Sequence, residues 1–438
     1  MSEILYQKQT SLACENFAIS QHGMPAPFIH ALGYLKAACA TANQELGKMD
    51  DNTAEAIYKA AMEVAAGKHD AQFPVDVFQT GSGTSTNMNA NEVIASLATR
   101  YSNQEIHPND DVNMGQSSND VIPTTIHVSA AMQIQARLLP AMRSLADHIE
   151  TRMKALDHVI KTGRTHLMDA MPVKLSQELS GWRAQIMQNQ QRLEDTLLRL
   201  SRLAIGGTAV GTGINTHKEF GGRVCAALSR QLDISFSVTD NHFAAISAQD
   251  TAVELAGQLN TLAASLMKIS NDLRWMNSGP LAGLAEIEMP KLQAGSSIMP
   301  GKVNPVIPEA VAMACAQVMG YHTAISVAGQ SGNFQLNVML PLIGQNLLLA
   351  INLMTNSCEH LAEKAIETFT VNEAQLEKVL SKNPILVTAL NQKIGYEKGT
   401  EIAKRAYDEK RDILDVAKEM TSLEEKELKS LLDPAKLV

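Results

Sequence analysis

Five stretches of this chain, residues 124–160, 173–203, 244–277, 306–328 and 335–369, carry apolar residues at spacings of three and four. That spacing puts the apolar residues on one face of a helix. In the third stretch Ala252, Leu255, Leu259, Leu262, Leu266 and Ile269 form a single stripe. A helix of ~30 residues is ~45 Å long and cannot bury such a stripe against itself. The pattern therefore predicts an all-α chain built around an extended bundle of long helices, of a kind that subunits can share. Most Pro and Gly residues fall between the stretches; Pro140 is the exception and predicts a kink. Alternating β-branched runs are almost absent, so any sheet is minor. Aromatic residues are only 4% while Met numbers 21, and this mostly aliphatic filling suits helix-on-helix packing.

Around that core the chain divides into three expected domains: a mostly helical segment over 1–118, the long-helix bundle over 119–370, and a small helical domain over 371–438. In the first, residues 27–67 read as two helices broken near Leu46-Gly47 and Asp50-Asp51. Asn52 or Thr53 is placed to cap the second, with Glu55 near its first turn. The polar run TGSGTSTNMNANE reads as a loop before a helix near 91–102. After Val371 the pattern resets to short helices, with a break at Gly395-Tyr396.

Lys and Arg total 37 against 46 Asp and Glu, a formal charge of −9. That balance disfavours a general nucleic-acid or membrane-surface binder. An anionic substrate would need positive charge supplied locally. The cysteines, Cys14, Cys39, Cys225, Cys315 and Cys358, are odd in number and widely spaced. They form neither a disulfide framework nor a zinc signature, and they fit a reducing cytoplasm. MSEILYQKQTS lacks the basic-then-apolar order of a signal peptide, and no run of 18 apolar residues predicts a membrane span.

Four polar segments interrupt the helices, and chemistry concentrates in such segments. Thr80-Gly81-Ser82-Gly83-Thr84 offers hydroxyls and free N–H groups that suit a carboxylate, although an ordinary capping loop has the same composition. His107-Pro108-Asn109-Asp110 and Gln116-Ser117-Ser118-Asn119-Asp120 can start a helix, bind an anion, or do both. Gly163-Arg164-Thr165-His166 lies in a polar turn between two long helices, with Asp169 three residues past a histidine suited to proton transfer. Gly295-Ser296-Ser297-Ile298-Met299-Pro300-Gly301-Lys302-Val303-Asn304-Pro305 gathers serines, a cation, an amide and hinge-like glycines in one loop, as a dicarboxylate site requires.

The last segment, GSSIMPGKVNP, resembles the signature loop of the fumarase/aspartase superfamily. TGSGTSTNMNANE, HPNDDVNMGQSSNDVIPTT, KTGRTHLMDAMP, GGTAVGTGINTH, NDLRWMNSGPLAGLAEI and SGNFQLNVMLP resemble class II fumarases in the same order, from about residue 15 onward. GRTH, where aspartases carry GRTQ, points to fumarase, as do SSND, NTH and Gly301. LQAGSSIMP and NPVIPE lean towards aspartase. Two departures stand out. The N-terminal segment is cut down to SEILYQKQT, and Asn103-Gln104-Glu105-Ile106 stands where fumarases commonly place an Arg of a second anion site.

The resemblance implies a homotetramer whose active sites each draw on three subunits. Its substrate would be a small dicarboxylate, with no metal, other cofactor, nucleic acid or membrane involved. It implies Ser296 as the base at C3 and His166, polarised by Glu309, at the leaving water. Lys302 and Asn304 would face the charge that develops on the neighbouring carboxylate. Ser82, Gly83, Thr84, Ser117, Ser118, Asn119, Thr165, Ser297 and Val303 would bind substrate. His107, Pro108, Asn109 and Asp110 would form the second anion site. Serine is a weak base unless N–H donors and a cation surround it. An ammonia-releasing relative and a catalytically idle structural relative are the competing readings. An assay with aspartate separates the first, and the intact set of five catalytic-type residues argues against the second.

Overall fold

The computed structural model of the chain describes residues 3–438. Helices dominate, and among the described residues the strands make four two-stranded sheets. Two compact units are present. The first holds the described residues up to Ala141 together with Asn189–Ala264 and Ala314–Asn356; the second holds Met142–Gln188, Ser265–Met313 and Ser357–Val438. Every boundary between them falls inside a long helix.

In the first unit, helix Ala26–Glu45 buries Phe28, Leu32, Leu35, Ala38 and Cys39 and is apolar almost all round, as a central helix must be. Helix Asp51–Ala65 packs on it. Its cap is Asp50, whose carboxylate accepts from Thr53 N at 3.0 Å, rather than Asn52 or Thr53. Asp50 has the extended backbone that lets a cap side chain turn back on the first turn.

Helix Thr84–Ser102 begins seven residues earlier than its apolar pattern suggests. The polar run was misleading because its polar groups face inward with partners. Glu92, 2% exposed, accepts from Gln7 N, Gln9 N, Thr10 N and Thr10 Oγ1, and so holds the start of helix Lys8–Asn16. Asn89 donates to the Gln72 carbonyl at 2.9 Å.

The stretch expected over 124–160 starts at Ser118 and ends at Ala155. Before Pro140 the helix widens through Ile134–Leu138, where Leu139 N reaches back five residues to the Ile134 carbonyl. A widened turn is one way to absorb a residue that cannot donate.

In the second unit, Ile160–Thr165 pairs antiparallel with Met168–Lys174, and Ile287–Glu288 with Thr370–Val371. A C-terminal core of Leu386, Leu390, Ile402, Val416 and Leu428 unites the short helices Pro384–Leu390, Tyr396–Glu409, Ile413–Met420 and Glu425–Leu431.

Helix Val306–Gly329 departs from expectation. It is long and apolar enough to cross a membrane by length and composition, yet most of its most apolar part is not buried. Met313 and Val327 are 69% and 51% exposed.

Candidate functional site

Two helix starts in the first unit present hydroxyls. Gly83 adopts φ +73°, a left-handed conformation that glycine takes without strain, and the chain turns there into helix Thr84–Ser102. Ser82 Oγ and Thr84 Oγ1 lie 2.7 Å apart. One of their two O–H groups thus remains free to donate.

Ser117 caps helix Ser118–Gln133 in a reciprocal box, with Asp120 Oδ1 accepting from Ser117 N at 3.0 Å. Ser117 Oγ accepts from Asn119 N, and Ser118 Oγ accepts from Asn87 Nδ2 at 3.0 Å. Because both hydroxyl oxygens act as acceptors, both O–H hydrogens can point to an anion. Asn119 gives one amide hydrogen to the Ala209 carbonyl and keeps the other. The Asn87–Ser118 bond ties the two helix starts together.

Beneath them lie two buried ionisable residues, Asp120 from the Gln116–Asp120 segment and Lys36, which the sequence did not single out. Asp120 has no exposed surface and accepts also from Gly206 N at 3.0 Å and Thr208 N at 2.8 Å. Burial pushes its carboxyl up to about 6 against those hydrogen bonds. Lys36, equally buried, donates to Asn113 Oδ1 and Gln116 Oε1. The available signal was a lysine standing in an apolar helical run, GYLKAACA.

His107 caps the turn Pro108–Val112 through its Nδ1, which accepts from Asn109 N and Asp110 N. His107, Pro108 and Asn109 line a cavity of about 590 Å³ that Lys8 and Arg100 also enter. Glu92 and Glu105 line the same cavity, so the two cations face two carboxylates there. Arg100 is also paired with Glu3 at 2.7 Å.

In the second unit His166 sits at the tip of a β-hairpin rather than in a plain turn between helices. His166 and Leu167 both have positive φ, +57° and +62°. A two-residue turn of that kind matches the twist of its strands, and non-glycine residues there are a sign of constraint. The pairing register slips between Thr162 and Arg164, and Asn383 Nδ2 meets the carbonyl of Ala170 on the opposite strand at 2.8 Å. Glu286, 3% exposed, anchors the hairpin through Lys161 at 2.6 Å and Arg164 at 2.5 Å. Lys161 reaches Glu178 as well, at 2.7 Å. Thr165 and His166 themselves are exposed.

The segment Gly295–Asn304 closes into a loop. Asn304 Nδ2 donates to the Gly295 carbonyl at 2.7 Å. A Cβ on residue 295 would lie 2.1 Å from the Lys302 carbonyl oxygen, so only glycine fits. Ser296 Oγ accepts from Ile298 N at 3.2 Å and Met299 N at 3.1 Å. Lys302 and Val303 line a cavity of about 600 Å³ with Asn277, Glu288, Thr370 and Asn372. Ser297 and Lys302 are exposed, and Glu309 occupies the first turn of helix Val306–Gly329.

Ser82, Gly83, Thr84, Ser117, Ser118 and Asn119 thus belong to the first unit, and Thr165, His166, Ser296, Ser297, Lys302, Val303, Asn304 and Glu309 to the second. No hydrogen bond or ion pair joins His166 to Glu309 among the described residues. Nor is any group of three or more His, Cys, Asp or Glu side chains gathered there to hold a metal ion.

The family model described as "Lyase" matches residues 2–320, and that described as "Fumarase C C-terminus" matches residues 386–438. A fumarate hydratase class II of Xylella fastidiosa is 59% identical over 99% of this chain and 92% of its own length. A fumarate hydratase class II 2 of Pseudomonas aeruginosa is 56% identical over 99% and 94%. The crystal structure of a recombinant class II fumarase from Schistosoma mansoni matches with a TM-score of 0.97 at 36% identity, covering 100% of this chain and 96% of that one. By fold, by family match over most of its length and by relatives this similar, the chain belongs to the class II fumarate hydratases of the lyase family.

Proposed function

We propose that this chain interconverts fumarate and malate, with Ser296 as the base. The observation that carries the reading is the pair of backbone N–H groups on Ser296 Oγ. Hydrogen bonds to the charged form favour it, so two N–H donors lower the cost of a serine alkoxide. In the dehydration direction the alkoxide removes a C3 proton from malate. The C–H electrons pass into the adjacent carboxylate, which becomes a dianionic aci-acid. Lys302 and the free amide hydrogen of Asn304 stabilise that charge. The C2–O bond then breaks, and the departing hydroxide takes a proton from His166, polarised by Glu309, and leaves as water.

The hydroxyls of Ser82, Thr84, Ser117 and Ser118, with Asn119 and the backbone at Gly83, hold the other carboxylate; Thr165, Ser297 and Val303 complete the binding set. These groups fix orientation. No cofactor takes part.

A homotetramer with sites shared among three subunits belongs to the same proposal. Its support is the exposed apolar face of helix Val306–Gly329, which a partner helix would cover better than water does. His107, Pro108, Asn109 and Asp110 form a second anion site, with Lys8 and Arg100 supplying its charge. The three-part division at residues 118 and 370 stays with this reading, as does a cytoplasmic setting, which the free cysteines Cys14, Cys39, Cys225 and Cys315 favour.

The test is the absorbance of the fumarate double bond after malate, then aspartate, is added to chelator-treated protein. Malate alone should give fumarate. Turnover of aspartate, or activity lost to the chelator and restored by one metal, would overturn the proposal.

A further inference from the structure

Lys36 lies mid-way along helix Ala26–Glu45, beside Leu32, Cys39 and Ala40 on its face, and has no exposed surface. Taking an ammonium out of water is costly unless a carboxylate meets it. Among the described residues none does. Its hydrogen bonds go to two neutral amide oxygens, Asn113 Oδ1 at 3.1 Å and Gln116 Oε1 at 2.8 Å. Asp120 acts on it through space, but the Asp120 oxygens are taken up by the N–H groups of Ser117, Gly206 and Thr208. Burial lowers the Lys36 ammonium to about 8, which leaves it mostly protonated at neutral pH.

A buried positive charge whose hydrogen bonds go only to neutral amides, with Asp120 acting on it through space, is a costly way to fill a core. An aliphatic side chain would fill the same space without the desolvation cost. The charge also sits behind a helix start, which is itself positive. Such an arrangement is unfavourable in the empty protein and becomes favourable when an anion arrives. The path to the anion side is short. Asn113 Oδ1, which accepts from Lys36, accepts also from Asn87 Nδ2 at 3.1 Å, and the same Asn87 Nδ2 reaches Ser118 Oγ at 3.0 Å.

We propose that Lys36 is a positioning residue for substrate, a buried cation that acts through Asn113 and Asn87 and supplies the counter-charge for the carboxylate held by Ser117, Ser118 and Asn119. The proposal rests on the reading of that helix start as a carboxylate holder. It makes Lys36 a determinant of dicarboxylate binding and leaves the proton transfers to other groups.

Lys36→Gln keeps amide donors for Asn113 and Gln116 while removing the charge; Lys36→Met removes both. Lys36→Gln should raise KM for malate about tenfold or more, the scale of a charge acting across a few bonds of protein interior, and change kcat less than about threefold. Binding is read separately, by the rise in melting temperature that succinate, a dicarboxylate that is not turned over, gives the intact oligomer. That rise should be present in the wild type and lost in Lys36→Gln.

An unchanged KM with an unchanged succinate shift overturns the proposal. So does a lower melting temperature with kcat alone reduced, or failure of both variants to fold, since each makes Lys36 a structural residue. Should the wild type bind succinate but not turn over malate, the proposed activity falls, and the succinate arm still decides the role of Lys36.

Discussion

The helix starts at Ser82–Thr84 and Ser117–Asn119 are fixed from beneath by buried polar groups, whereas the loop Gly295–Asn304 is held by its own backbone and one amide. The first arrangement suits binding. Donors that are oriented before the anion arrives need no reorganisation when it does. The second suits proton transfer. A serine must gain and lose a proton in each cycle, and a loop with a glycine at φ +82° on residue 301 can adjust around it. The His166 hairpin lies between these extremes, with an exposed tip on a base clamped by Glu286. The comparison teaches that, on the proposed assignment, rigidity in this chain is concentrated where the substrate's unreacting carboxylate is held, and freedom in the loop that carries the proposed base.

Substitutions that remove the proton-moving groups should have the largest effects. Ser296→Ala and His166→Asn should each lower kcat at least ~10²-fold, the usual worth of a positioned acid or base. Near-normal turnover in either variant would remove that residue from the chemistry. Gly295→Ala tests the loop itself. Its Cβ would meet the Lys302 carbonyl at 2.1 Å, so the loop must open. A fall in kcat of about tenfold, with little change in melting temperature, is expected from a displaced loop; a variant as active as the wild type would show that loop closure is dispensable.

Glu286→Gln probes the clamp. It leaves Lys161 and Arg164 without their shared carboxylate, and breaking a buried pair from one side costs about 3–5 kcal/mol. A clear drop in melting temperature should accompany a smaller loss of kcat. An unchanged melting temperature would mean that the ion pairs add nothing to the hairpin.

The smallest effect concerns pH. The Asp120 carboxyl rises from its ordinary 3.8 to about 6 in the folded chain. Between those values the folded chain binds a proton that the unfolded chain does not, so this group adds stability as pH falls through about 6. Asp120→Asn lacks that proton. The melting temperature of the wild type relative to the variant should therefore increase between pH 6 and 4, and a difference that stays flat would contradict the assignment.

Periodicity was enough to foresee the all-α architecture, because stripes such as Ala252 to Ile269 are a direct record of helix packing. It failed at Thr84–Ser102, where Asn87, Asn89, Asn91 and Glu92 are buried polar residues and a polarity pattern reads them as loop. The His166 hairpin was hidden for a related reason. Its strands contain Gly163 and Pro172 and show no alternation. Ser296, Lys302 and Asn304 were legible as residue types in one loop. The N–H donors around Ser296 were not, because they belong to the backbone and any sequence has them. The burial of Lys36 had one signal, its place in the apolar run GYLKAACA, but its amide partners Asn113 and Gln116 lie 77 and 80 residues away and no spacing links them to it.

The most direct test of the division between Ser296 and His166 is the kinetic isotope effect with malate deuterated at C3, measured in both variants. With Ser296 as base, Ser296→Ala slows C3–H cleavage and should show an enlarged isotope effect. His166→Asn slows C–O cleavage and should show a diminished one, with C3 proton exchange outrunning net fumarate formation. The same isotope pattern in the two variants would contradict the account, leaving the Ser296 loop as a carboxylate clamp around Lys302 and Asn304 and the base elsewhere.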